Sequence, residues 1–255
     1  APSLKKKIED VRIHKNMMSL YSSMRSKAGS LETPVPLLEK VMSTYHEGPV
    51  TFNSTGDLLF FTRNDYNNKV RGKASDKETK LKIYVSSKNG EDWTDPIELP
   101  FNNSEYKTCH PTMDPDGTVL YFSSDREGGY GGMDLYRVSY NNGVWGSPVN
   151  LGAEINSVAN EVFPFIAADG TLFFSSEGHG SLGGLDMFYS QSRDGKWQTP
   201  ESLGKPFNTE YDDFGIIIDR DNKNGYFSSN RPGGKGQDDI YSFYSYTVYM
   251  KFQYK

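Results

Sequence analysis

The sequence copies itself with a step of 52 or 53 residues. Phe122-Ser123-Ser124 recurs as Phe174-Ser175-Ser176 and as Phe227-Ser228-Ser229, and Trp93, Trp145 and Trp197 are spaced 52 apart. Asp134-Leu135-Tyr136, Asp186-Met187-Phe188 and Asp239-Ile240-Tyr241 keep the same step, as do the turn glycines Gly117 and Gly170. Landmarks held in one register mark a supersecondary unit that cannot bury its faces alone and must stack on its own copies. An earlier copy carries Thr51 to Gly56 and Leu58-Leu59-Phe60-Phe61, with a polar insertion of about nine residues within Asn64 to Lys80.

Inside one copy the pattern is that of a meander. His110 to Met113 is followed by the turn Asp114-Pro115-Asp116-Gly117, then Val119 to Ser124, and then the glycine-rich loop Gly128 to Gly132. Met133 to Tyr140, the turn Asn141-Asn142-Gly143 and Val144 to Asn150 complete it. Asp-Gly and Asn-Gly pairs between apolar runs are hairpin signals, because Gly and Asn accept the positive φ of tight turns. The content of 15 Phe, 17 Tyr, 3 Trp and 25 Gly favours short strands over helices in the same way. The expected fold is an all-β propeller of four-stranded antiparallel blades, since roughly 50 residues per four strands is a blade's period.

The repeats fall at about 45–102, 106–156, 160–208 and 211–243 within a propeller spanning 19–255. Leu20 to Ser23 and Leu31 to Leu37 align with the outer half of a blade, while Tyr244, Tyr246, Val248, Met250, Phe252 and Tyr254 alternate with more polar residues as a half-buried strand does. A blade shared by the two termini gives a five-bladed ring, with six blades as the competing count. Residues 1–18 read as an N-terminal segment or linker, the remnant of an upstream helix.

Charge narrows the partners. With 28 Lys and Arg against 33 Asp and Glu, the net charge is −5, and no basic stripe is present to displace counterions from phosphate, so nucleic acid is not an expected partner. No apolar run approaches the ~18 residues of a bilayer-spanning helix, so the chain is not expected to span a membrane. The single cysteine, Cys109, reads as a buried free thiol.

The segments HPTMDPDGTVLYFSSDREGGYGGMDLYRV, EVFPFIAADGTLFFSSEGHGSLGGLDMFY and YDDFGIIIDRDNKNGYFSSNRPGGKGQDDIYSF resemble the TolB-like, WD-repeat-like propeller repeats of Bacteroidota OmpA-family envelope proteins, of which the PorE-like, type IX secretion architecture is the best known. The resemblance covers about residues 19 to 243. It implies a non-catalytic periplasmic scaffold, outer-membrane associated, that binds envelope protein partners. Any peptidoglycan association is implied through domains outside this stretch.

The residues support no cofactor. The loops Gly128 to Gly132 and Gly233 to Gly236 run from strand to strand, whereas a phosphate cradle needs a helix N-terminus behind it. The recurring Asp134, Asp186 and Asp239 suit calcium chemistry, yet one copy offers only two carboxylates. An Asp that closes each loop by accepting backbone N–H groups is the simpler reading. His14, His46, His110 and His179 occupy unrelated repeat positions, which gives no metal or triad arrangement, and His110 beside Pro111 reads as a satisfied, partly buried histidine. The hairpins Ser87 to Trp93 and Ser192 to Trp197 resemble the Asp-box turns of sialidase-like propellers. A carbohydrate-binding or sialidase-like, glycan-active propeller is therefore the alternative, with Arg63, Arg126 and Arg231 after three of the second strands. The expectation here is no enzyme, with no catalytic or metal residues. The candidate partner-binding face is the loop end, with Arg126, Tyr130, His179, Arg231 and Lys235, because loops on a rigid scaffold carry recognition and Arg and Tyr dominate interface energetics.

Overall fold

The computed structural model describes residues 9–10, 15–16, 18–26, 30–37, 41, 43, 45–67, 70–72 and 74–244. Every regular element among them is a strand. The chain divides into a unit ending at Cys109 and a second unit from His110.

In the first unit the sheet runs in the order Asp92–Trp93, Leu81–Asn89, Leu58–Asn64, Glu47–Phe52, and Ile97–Glu98 also pairs with Leu81–Asn89. Leu59, Phe60 and Phe61 are all fully buried, so both faces of the central strand are covered, as its unbroken apolar run requires. Leu20, Val41, Leu59, Phe61, Tyr84 and Trp93 form one core cluster. Within the stretch expected to form an outer half-blade, Tyr21–Ser22 pairs with Val35–Pro36. The polar insertion folds into its own ribbon, Tyr66–Asn67 against Val70–Arg71. At its base Lys82 is buried between Asp65 at 3.1 Å and Glu98 at 2.8 Å.

The second unit holds three sheets. The second sheet orders Thr108–Met113, Val119–Ser124, Asp134–Asn141 and Val144–Trp145; the third orders Glu161–Ile166, Leu172–Ser176, Asp186–Ser190 and Glu201–Ser202; the fourth orders Asp213–Ile218, Asn224–Ser229 and Asp239–Tyr244. The expected outer strand Val144 to Asn150 is split, because Pro148 has no N–H for the ladder, and Val149–Asn150 pairs separately with Asp134–Asn141. Tight turns do what their residues predict: Asn142 and Gly143 have φ of +47° and +85°, and Asp194 and Gly195 +51° and +74°, the primed geometry that matches strand twist. Tyr121, Leu135, Ile155, Ile166, Leu172, Phe174 and Phe188 fill the space between the second and third sheets. Met187, Ile216 and Phe227, with Phe173, Phe207 and Phe243 against them, fill that between the third and fourth.

Two expectations change. Among the described residues four sheets, not five, carry the blade pattern, because the terminal strand proposed to complete a fifth lies outside the described residues beyond Tyr244. Tyr244, which was to begin that strand, instead ends the third strand of the fourth sheet opposite Asn224, after Phe243 opposite Gly225. Within 1–18, where a helical remnant was expected, Glu9–Asp10 pairs with Lys15–Asn16.

The first strands of the second unit share a device. His110, Phe163 and Gly215 have φ of +55°, +51° and +69°, at irregularities that the third and fourth sheets show as register shifts. The resulting kink stacks His110 on Phe163 at 3.9 Å between centroids, and Phe163 lies 5.0 Å from Phe214. His110 Nδ1 accepts the Phe163 N–H at 3.4 Å, and burial pushes the imidazole down to about 3. A folded-state value below the ordinary 6.5 means that the neutral ring is favoured on folding. That contribution is complete above pH 6.5 and is lost as pH falls toward 3. Replacing His110 by Phe, the residue of the next copy, is expected to flatten the stability profile between pH 6.5 and 4.5 by up to about 1.4 kcal/mol per pH unit. Urea unfolding of both proteins across that range measures it, and parallel profiles would refute a neutral His110.

Candidate functional site

The loops at one end of the second unit are held by its repeats. Asp134 accepts the Tyr130 N–H at 2.7 Å and the Gly131 N–H at 3.1 Å. Asp186 accepts those of Leu182 and Gly183, and Asp239 those of Lys235 at 2.8 Å and Gly236 at 3.0 Å. The recurring Asp thus closes each glycine-rich loop, as its position suggested. Burial raises the Asp186 carboxyl above its ordinary range despite the two amides. Gly131 lies so close to the carbonyls of Ser157 and Ala159 that a Cβ would sit 2.4 Å and 2.5 Å from them, and Gly183 is crowded in the same way by Glu210 and Tyr211. These two loops are therefore packed on the crossings that lead into the third and fourth sheets.

Beneath the loops runs a bracket that sequence reasoning did not see. The first strands of the first, third and fourth sheets begin with Glu47, Glu161 and Asp213, all at most 2% exposed. Glu161 accepts Ser157 N at 2.8 Å and Ser157 Oγ at 2.6 Å, and Asp213 accepts Thr209 N and Oγ1, both at 2.7 Å. The residue just before each of these Ser and Thr donors in the third and fourth sheets is an asparagine that clamps a neighbouring strand. Asn156 Oδ1 accepts Leu135 N at 2.7 Å while its Nδ2 donates to Leu135 O at 3.1 Å. Asn208 does the same to Met187, and Asn102 to Ile83 in the first unit. The available signal was an apolar residue followed by Asn at 101–102, 155–156 and 207–208.

The five expected loop-face residues separate into two groups. Arg126, His179 and Arg231 lie over the rings of their own sheets. Arg126 sits 5.1 Å from Phe122 and 4.8 Å from Tyr136, with Nε donating to Ser124 Oγ at 3.1 Å. Arg231 sits 5.1 Å from both Phe227 and Tyr241, and its Nη2 donates to Asp213 at 2.5 Å and to Phe207 O at 2.7 Å. His179 is the third sheet's version: its ring is 5.8 Å from Phe174 and 5.5 Å from Phe188, and Nε2 lies 2.9 Å from Ile155 O and 3.7 Å from Glu161. Arg63 lies 4.2 Å from Tyr84 in the first unit. Each of these side chains thus packs on the rings of its own sheet. Tyr130 and Lys235 form the other group, on the exposed part of their loops, with Tyr130 50% exposed. Further exposed apolar side chains stand on the same loops and crossings: Val158 at 90%, Leu182 at 59% and Tyr211 at 37%. Leu182, Tyr211, Pro206 and Pro232, with Lys205 and Glu210, line a groove of about 700 Å³ there.

No family model and no curated protein matches the chain. Among solved structures it is similar to TolB from Acinetobacter baumannii, at 12% identity and a TM-score of 0.52 over 88% of this chain and 46% of that one. A candidate TolB from Agrobacterium tumefaciens aligns at 15% identity and a TM-score of 0.45, over 74% and 72%. An endo-arabinase from Bacteroides thetaiotaomicron aligns at 13% and 0.48, over 95% and 98%. The chain spans less than half the length of the Acinetobacter protein. The repeating antiparallel sheets and the likeness to that protein make the fold that of a TolB-like β-propeller.

Proposed function

We propose that this chain is a non-catalytic protein-interaction propeller of the bacterial envelope, periplasmic and outer-membrane associated, of the kind that the PorE-like, OmpA-family architecture of Bacteroidota carries. The observation that carries the reading is the row of exposed apolar side chains Tyr130, Val158, Leu182 and Tyr211 on loops pinned to rigid sheets. Apolar and aromatic anchors on preorganised backbone lose little entropy on binding, which is what a docking surface needs. Arg126, His179 and Arg231 support these loops from beneath, and Lys235 adds a cation at the rim. The partner is an envelope protein, and peptidoglycan is reached through other domains.

The test is a pull-down from envelope extract of the source organism with the wild type and with a variant carrying Val158→Asp and Leu182→Asp. These exposed positions are expected to change stability by less than about 0.5 kcal/mol. A partner retained by the wild type and lost from the variant supports the reading. A partner retained equally by both excludes this face as the docking surface.

A further inference from the structure

A second concavity lies at the opposite end of the strands, where the turns between first and second strands gather. It is a cleft of about 770 Å³ between the second and third sheets. Its apolar floor is the half-buried Trp197, meeting Tyr121 edge-on at 6.4 Å and 74°. Arg137, Lys196, Asp116 and Glu154 line it as polar groups. The walls are built: Asp114 holds its hairpin through Thr118 N at 2.6 Å and Val119 N at 3.0 Å, Asp169 accepts Thr171 N at 3.0 Å, and Glu154 is tied across to the Thr199 hydroxyl.

The repeat shows that the fold does not demand this chemistry. Tyr121 faces Arg137 across the ladder, and the same pair of positions is Phe60–Val85 in the first sheet, Phe173–Tyr189 in the third and Tyr226–Ser242 in the fourth. Only the second sheet places an arginine there. Four carboxylates, Asp114, Asp116, Glu154 and Asp169, stand against the two cations Arg137 and Lys196, which disfavours phosphates and other anions. An apolar ligand would strand these groups without water. Interspersed donors and acceptors beside an aromatic ring suit a ligand rich in hydroxyls with one apolar ring face.

We propose that this cleft binds a neutral saccharide of one or two rings, with Trp197 as its stacking surface and Arg137, Lys196, Asp116 and Glu154 as partners of its hydroxyls. The site is separate from the loop-end docking face and stands or falls independently of it. Saturation-transfer NMR and calorimetry with cellobiose, xylobiose, maltose and N,N′-diacetylchitobiose, alongside a lysine-rich peptide and inorganic phosphate, test it. At least one disaccharide is expected to bind with a dissociation constant at or below ~1 mM, and Arg137→Ala is expected to weaken it about tenfold or more. Trp197 also packs on the core, so Trp197→Ala is read only if its melting curve is cooperative. Arg137 is exposed, which keeps the test decisive without that variant. Trp145→Phe, outside the cleft, is expected to bind as the wild type does. Saturation transfer to none of the sugars at 10-fold that concentration, binding of peptide or phosphate alone, or binding unaffected by Arg137→Ala would each overturn the proposal.

Discussion

Asn156→Ala is expected to cost about 3 kcal/mol, although the side chain touches no outside molecule. Its amide, 2% exposed, satisfies both backbone groups of Leu135 and donates to Asn150 Oδ1 at 2.8 Å. Asn150 in turn donates to Asp134 Oδ2 at 2.7 Å, so the clamp also fixes the carboxylate that closes the Tyr130 loop. Alanine leaves the buried Leu135 N–H without its partner, a loss of about 1–3 kcal/mol, and takes one of two donors from Leu135 O and from Asn150 Oδ1, which keep Leu151 N and Gly152 N. For a chain of this size that corresponds to a fall in melting temperature of roughly 6–12 °C. Asn208→Ala should behave alike, because Asn208 holds Met187 in the same way. Asn141→Ala, on the exposed end of a strand, should stay within about 0.5 kcal/mol. Calorimetric melting of the three variants decides it, and an Asn156→Ala protein that melts within 3 °C of the wild type would show that the clamp carries no stability.

The clamp marks the boundary of what the sequence makes legible. Strand positions and tight turns follow from local chemistry: Asp114 to Gly117 and Asn141 to Gly143 name their own turns, and the spacing of Asp134, Asp186 and Asp239 names the loop closure. Each of these is settled within a few residues of chain. Asn156 reaches 21 residues back, and Arg231 reaches back 18 residues to Asp213 and 24 to Phe207. Their partners are known only once strand register is known. Arg126 and Arg231 read as surface anchors because they sit in loops, yet a guanidinium four residues beyond Phe122 or Phe227 folds back over that ring and the ring beside it. His179 shows that the slot is what repeats, since an imidazole fills the third sheet's copy with the same carbonyl and acid as neighbours. The expected fifth blade is a different case: alternation over 244–254 raises the expectation of a half-buried strand but cannot name a sheet for it, and Tyr244 ends the third strand of the fourth sheet instead.

Arg231→Met tests which of these roles dominates. Arg231 is 18% exposed and Asp213 fully buried. The guanidinium donates to Ser229 Oγ at 2.9 Å, Pro206 O at 3.0 Å, Phe207 O and Asp213. Removing it leaves the Asp213 carboxylate buried with only the Thr209 donors, a loss expected to reach about 3–5 kcal/mol because an uncompensated buried charge is costly. Neutralising that charge should recover part of the loss, so Arg231→Met/Asp213→Asn is expected to be more stable than the sum of its single variants by about 1–3 kcal/mol. Arg126→Met should cost less, roughly 1–2 kcal/mol, since the second sheet begins with Thr108 where the fourth has Asp213, and the stacking over Phe122 and Tyr136 is the main term lost. Urea unfolding of the wild type and of the four variants, Arg231→Met, Asp213→Asn, their combination and Arg126→Met, gives the ranking. A side chain serving chiefly as a docking anchor would leave the unfolding midpoint of Arg231→Met at the wild-type value and abolish only partner capture. A lowered midpoint together with positive coupling to Asp213 would instead make Arg231 the buttress on which the apolar loop face rests.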